Sequence, residues 1–172
     1  MKSVIVLAMH GTPPRDFPRA DMGEFMSLHS RMGHSAVSHS PALESRYEEL
    51  EKQIREWPRT PANDPFFVSS QEIAGALGKA SGQMVLLGFN EFCSPTLHEA
   101  LELAASSGAE RVVVVTPMMT RGGEHSEKDI LEAVEKARGN YNGVSFVYAW
   151  PFETTEVAEF LSAHIKRFEK DC

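Results

Sequence analysis

The chain has 172 residues, 42% of them hydrophobic, enough for one well-buried domain and too few for two substantial ones. Its 17 basic and 24 acidic residues give a formal net charge of -7 without any Lys/Arg block, which argues against a phosphate backbone, so no nucleic-acid partner is expected. Cys93 and Cys172 form no CxxC pair, so neither a disulfide framework nor a zinc knuckle is indicated and a reducing cytoplasm fits.

In chain order, Val4 to Met9 is an apolar β-branched run that ends at His10-Gly11-Thr12 and reads as a first strand. It is too short for a secretion signal or a membrane span, so no membrane partner is expected. The stretch from Thr12 to Ser69 then holds seven of the ten prolines. Its clearest regular element is the helix "PALESRYEELEKQIREW", with Ser40 as N-cap. A second helix, "SSQEIAGALGKAS", leads into a strand from Gln83 to Asn90 that ends at Glu91. Ser94 and Pro95 predict an N-cap and first helical position for the helix over "TLHEALELAASSGA", closed by Gly108. "RVVVVTP" is a third strand, its four consecutive Val implying burial on both faces, and it leaves through the Gly122-Gly123 turn. A helix capped by Ser126 then places Ile130, Leu131, Val134 and Ala137 on one face and ends at Gly139. Val144 to Trp150 is the fourth strand, and a last helix aligns Val157, Phe160, Leu161, Ile165 and Phe168.

Strands alternating with helices predict an α/β, three-layer doubly wound fold around a parallel sheet of about four strands, with right-handed crossovers. The whole of 1–172 reads as one domain, with 12–69 an expanded first crossover that forms a lid or a partner contact. A four-stranded sheet offers one wall to a large ligand, so a homodimer or a partner domain is expected, unless the crossover supplies the second wall.

Ligands of open α/β sheets bind beyond the carboxyl ends of the strands. There the first strand delivers His10, the second Glu91 and the third His125. Two imidazoles and a carboxylate suit a divalent transition metal with positions left open. Each has a plainer reading: His10 as a loop imidazole satisfied by a backbone carbonyl, Glu91 as a solvated carboxylate or a cap. His29, His34 and His39 suggest metal delivery, but a five-residue spacing does not align on one helix face. His98 and His164 read as structural or solvent-facing, Cys93 as a buried thiol or a soft ligand, and Glu124 as a ligand or a favourable charge at a helix start. Met118 and Met119 read as packing or as a floor under a flat ligand.

The spacing E-x-x-x-P-x-L from Glu91 through Pro95 to Leu97, and P-x7-H-x3-D-I from Pro117 through His125 to Asp129-Ile130, resembles the class II cobalt chelatases, the small sirohydrochlorin chelatases of cobalamin and siroheme synthesis. The opening strand followed by His10-Gly11 fits the same family. "MHGTP" and Glu124-His125 are more loosely similar to ferrochelatases, which share the fold. The matches cover 1–12 and about 83–135; the 12–69 segment has no counterpart in short family members, and "WPFETTE" stands where the family has His-Pro after the fourth strand.

The resemblance implies a lyase that inserts Co2+, Ni2+ or Fe2+ into a sirohydrochlorin-type tetrapyrrole without ATP and without an organic cofactor. His10 and His125 would be metal ligands that double as proton acceptors, and Glu91 a ligand or base. A substrate rich in carboxylates calls for local basicity. Arg121 beside Gly122 and Gly123, and Arg15 and Arg19 after the first strand, are the candidate anchors. Two readings from other classes compete: a metal or tetrapyrrole carrier on the same fold that does not turn over, and a flavodoxin-like phosphoryl-chemistry module using His10. Against the latter, the chain has no GxGxxG, Walker A or RHG signature.

Overall fold

The computed structural model describes residues 2–33 and 40–169. Four strands, β1 (Ser3–Met9), β2 (Met84–Phe89), β3 (Arg111–Val115) and β4 (Ser145–Tyr148), form one sheet in the order β2-β1-β3-β4. All neighbours are parallel, with Val6 opposite Leu86 on one side and Val114 on the other, and Val112 opposite Phe146. The sheet of about four strands expected from the sequence is therefore present, with β1 central and almost wholly buried.

One face packs on α4 (Leu97–Ser106) and α5 (Ile130–Asn140). Val4, Val6, Val112, Val114 and Phe146 from alternate strand positions meet Leu97, Leu101, Ile130 and Val134 there, as the period-2 and period-3.6 patterns require. The other face is covered over β2 by α3 (Pro65–Ser81), where Leu7, Met9, Phe89 and Cys93 are buried. Val113 and Val115 are only half-buried, so the four-Val strand is less enclosed on that side than its composition suggests.

The long first crossover is folded rather than extended. It contains α1 (Arg19–Gly33), which the prolines before it obscured in the sequence, and α2 (Pro41–Glu56). Their contact builds a separate small core of Phe17, Phe25, Leu28, Leu50 and Ile54. Asp64 caps α3 by accepting from the Phe67 N–H at 2.9 Å, so that helix starts earlier than "SSQEI" predicted.

Two boundaries and one burial pattern differ from expectation. Helix α4 is capped by Thr96 rather than Ser94: Thr96 and Glu99 complete a reciprocal capping box, which satisfies two end donors where Ser94 would satisfy one. Ser126 does not cap α5. It lies inside a π-helical turn, His125–Asp129, that runs into α5, and its hydroxyl donates to Gly123 O. Helix α6 (Thr154–Ile165) forms where predicted, yet buries none of its residues. Phe160, Leu161, Ile165 and Phe168 are 51–62% exposed, so the predicted apolar face has no partner among the described residues.

Candidate metal centre

Beyond the carboxyl edge of the sheet two further backbone bonds join the ends of β1 and β2, Asn90 N–H to Met9 O and Glu91 N–H to His10 O, both 2.9 Å. These hold the residues after β1 and β2 side by side. Gly11 makes the approach feasible: its φ is +95°, and a Cβ there would lie 1.9 Å from Glu91 O. From the third strand, the Gly122-Gly123 turn leads into the π-helical turn, which begins with His125. Single π turns inside helices recur at functional sites because they reorient one side chain without ending the helix.

The result brings the three predicted residues together. One donor atom each from His10, Glu91 and His125 lie within 4.8 Å of one another, and all three side chains are half-buried. The two imidazole rings meet edge to face with centroids 4.4 Å apart. His10 Nδ1 is 2.7 Å from Gly11 O, an acceptor only, so the neutral ring carries its proton on Nδ1 and offers Nε2. His125 Nδ1 lies 2.7 Å from Asp129 Oδ2 with the same consequence. Both rings are thus oriented in the way that metal-ligating histidines usually are, by a carbonyl or carboxylate behind them. The plainer reading of His10, satisfied by a backbone carbonyl, is what the structure shows, and it leaves Nε2 free for a ligand role.

Asp129 was quoted in the sequence only as part of a motif. Its side chain is the orienting partner of His125, a role legible in the i,i+4 spacing once the helix is known. Asp129→Asn, which keeps the size but can place an N–H against Nδ1, is expected to weaken Co2+ binding by about 10- to 100-fold in a calorimetric titration. Unchanged affinity would leave Asp129 without an orienting role.

Two cavities flank the centre. One of about 550 Å3 is lined by Glu48, Glu51, Glu56, Glu91, Glu99 and Asp129 against Lys52 and Arg55, and it attracts cations and repels polycarboxylates. His98 also faces it; burial first, with Lys136 and Arg55 behind, pulls its pKa down. The other, about 370 Å3, is walled by Pro117, Met118, Met119, Thr120, Gly123, His125 and Ser126; both Met residues line it, and Met118 also packs against the core, as the packing reading expects.

The remaining candidates are placed as follows. Arg121, Gly122 and Gly123 are exposed on the loop before His125, and the Gly122 N–H donates to Glu127 Oε1 at 2.7 Å rather than facing outward. Arg15 and Arg19 are exposed, and the Arg15 N–H holds Asn63 O. Cys93 does not join the triad. It is fully buried beside Thr12 O and Asp64, and burial pushes its thiol pKa up, which disfavours the ligating thiolate. Glu124 is exposed, 3.8 Å from Lys128. His164 is exposed between Phe160 and Phe168. His29 lies beside Glu91, while His34, His39 and Cys172 fall outside the described residues.

Comparison with known proteins gives a consistent picture. Over 48 residues the chain is 44% identical to a sirohydrochlorin cobaltochelatase of Methanopyrus kandleri, covering 28% of this chain and 33% of that one. Over 84 residues it is 32% identical to a sirohydrochlorin cobaltochelatase of Sulfurisphaera tokodaii, covering 48% and 66%. Over 68 residues it is 32% identical to a sirohydrochlorin ferrochelatase of Priestia megaterium, covering 40% and 25%. The chain therefore spans between a quarter and about two thirds of the length of these relatives. A putative cobalamin biosynthesis CbiX protein from Marinobacter aquaeolei shares the fold, with TM-score 0.55 and 14% identity over 99% of both chains. A family model described as CbiX matches residues 69–168, from α3 through the glutamate and the second histidine of the triad to α6, and on that match the chain belongs to the CbiX family of chelatases.

Proposed function

We propose that this protein inserts a divalent metal, Co2+, Ni2+ or Fe2+, into a sirohydrochlorin-type tetrapyrrole without ATP, in the cytoplasm. The observation that carries the reading is the convergence of His10, Glu91 and His125 on one small volume, with both free imidazole nitrogens made available by the partners behind them. The curated relatives named above, two cobaltochelatases and one ferrochelatase of sirohydrochlorin, supply the substrate class.

In this reading the metal is a substrate. Three protein donors leave coordination positions open, so the ion can be surrendered to pyrrole nitrogens, which a closed cage would prevent. The macrocycle enters on the Met118–Met119 side and presents its nitrogens to His10 and His125. The acidic cavity lined by Glu91 admits the cation and repels the carboxylated macrocycle, so the two substrates approach through different cavities. Two pyrrole N–H protons must leave; the imidazoles, released from the ion as it moves, and the Glu91 carboxylate take them. Arg121, Gly123 and Arg15 anchor the peripheral carboxylates from the rim; Gly122, whose N–H is already given to Glu127, shapes the turn instead. A second copy on the uncovered apolar side of α6 is the homodimer this reading carries.

The test is to incubate the protein with sirohydrochlorin, and separately with a dicarboxylate porphyrin, and follow insertion of each metal by the change in the visible spectrum. Multiple turnover with sirohydrochlorin and at least one of the three metals is expected. Stoichiometric binding of the tetrapyrrole without turnover would replace the enzyme with a carrier.

A further inference from the structure

Helix α1, which precedes the span matched by the family model, brings another histidine to the triad. His29 Nε2 lies 3.9 Å from Glu91 Oε1. That is too far for a hydrogen bond and close to the span of two donors sharing one ion through bonds of about 2.0–2.2 Å. A cavity of about 110 Å3 adjoins the pair, lined among others by Phe25, Tyr47 and Asn90.

The ring is held in place for this task. It stacks on Phe25 with centroids 5.7 Å apart, and its Nδ1 is 3.1 Å from Tyr47 Oη. An ion on Nε2 requires the proton on Nδ1, where the phenol oxygen accepts it. A further observation points the same way. Asn90 Nδ2 is buried and has no hydrogen-bond partner among the described residues, and Asn90 lines this same cavity. A water in this cavity that is not bound to the ion gives that amide an acceptor, so the space is wet enough to admit a hydrated cation.

We propose that His29 and Glu91 form an outer cation station that loads the inner triad. The proposal rests on the chelatase reading above and adds the route by which the metal arrives. A hydrated divalent ion exchanges water for His29 Nε2 and a Glu91 oxygen. It then passes to His10 and His125 while Glu91 stays bound, the His29 nitrogen leaving as the inner imidazoles arrive. Nothing is oxidised or reduced, and the released waters return to solvent. A shared carboxylate means the ion is never stripped of all its ligands during the transfer. Two protein donors bind weakly, which suits a station that must release its ion.

The test starts with Co2+ and the full chain in the absence of tetrapyrrole, read by calorimetry and by the cobalt d–d spectrum. In the His10→Ala/His125→Ala double variant a weak cobalt site is expected to remain, and adding His29→Ala is expected to lower its affinity by about tenfold or more. In the otherwise native chain, His29→Ala is expected to raise the KM for Co2+ by about tenfold with the KM for tetrapyrrole unchanged, and His29→Asp, which restores a ligand, to recover part of it. The His29 side chain is 44% exposed, so alanine there should fold; a melting curve checks this, and Tyr47→Phe, which keeps the ring stack, is the second variant should it fail. Cobalt affinity and spectrum indifferent to His29→Ala would overturn the proposal. If binding depends on His29 but wild type inserts no metal, the chelatase reading fails and the site stands. If insertion is normal and binding ignores His29, only the outer station fails.

Discussion

Alanine at His125 is expected to lower the metal-insertion rate by about 100- to 10,000-fold, the range for losing a positioned group that handles protons, with little change in stability. The side chain is 30% exposed and among the described residues hydrogen-bonds only to Asp129, whose carboxylate is 40% exposed and can turn to water, so no buried charge is stranded. His10→Ala is expected to behave the same way: the bond it removes is to the neighbouring Gly11 carbonyl. Because one ion is shared, the losses should not add. The double variant should be little slower than either single variant, since removing one corner already disables the site. Progress curves of insertion into sirohydrochlorin at saturating metal, together with thermal melts, provide the check. Wild-type rates in either single variant would remove that histidine from the mechanism; normal melting with lost activity separates chemistry from folding.

The difference between what the sequence shows and what it hides follows from the range over which each signal acts. Strands β1 to β4 were legible because each is an apolar run bounded by turn residues, and the triad because each member sits at or soon after the end of such a run. Its assembly needed no long-range information beyond the parallel register, which places Glu91 beside His10. Helix α1 was hidden: Met22, Phe25 and Leu28 do recur at helical spacing, but Pro13, Pro14 and Pro18 precede them. That omission left His29 without a place. The five-residue spacing of His29, His34 and His39 matches no single helix face, whereas His29 needs no other histidine in its helix to reach Glu91. At the start of α4, Ser94-Pro95 predicts the cap two residues early, because the reciprocal Thr96–Glu99 pair satisfies two end donors and takes the position. For α6, periodicity identified the apolar face correctly, but what covers a face is a tertiary fact that periodicity does not carry.

Replacing Arg59 by Met is expected to destabilise the fold by about 3–5 kcal/mol, because it leaves a buried carboxylate without its counter-charge. Arg59 and Asp64 are 5% and 0% exposed and joined at 2.6 Å. The guanidinium also donates to Thr12 O at 2.8 Å, to Ile54 O at 2.7 Å and to Phe92 O, while Asp64 Oδ1 accepts from the Thr12 hydroxyl at 3.0 Å. One ion pair therefore ties the end of α2 and the start of α3 to Thr12, two residues past His10, and to Phe92, one residue past Glu91. Its loss should loosen the first crossover and two corners of the triad together. Urea unfolding should show a lower midpoint in one cooperative transition, as expected if 12–69 folds with the sheet rather than apart from it. Adding Asp64→Leu should restore part of the stability, since an apolar pair strands no charge, although the Thr12 and Phe67 donors then lose their acceptor. Insertion activity at a temperature where Arg59→Met remains folded should still fall, because the backbone on which His10 and Glu91 stand is no longer clamped. A variant as stable and as active as wild type would show that the crossover and the ligand loops hold their positions without this pair.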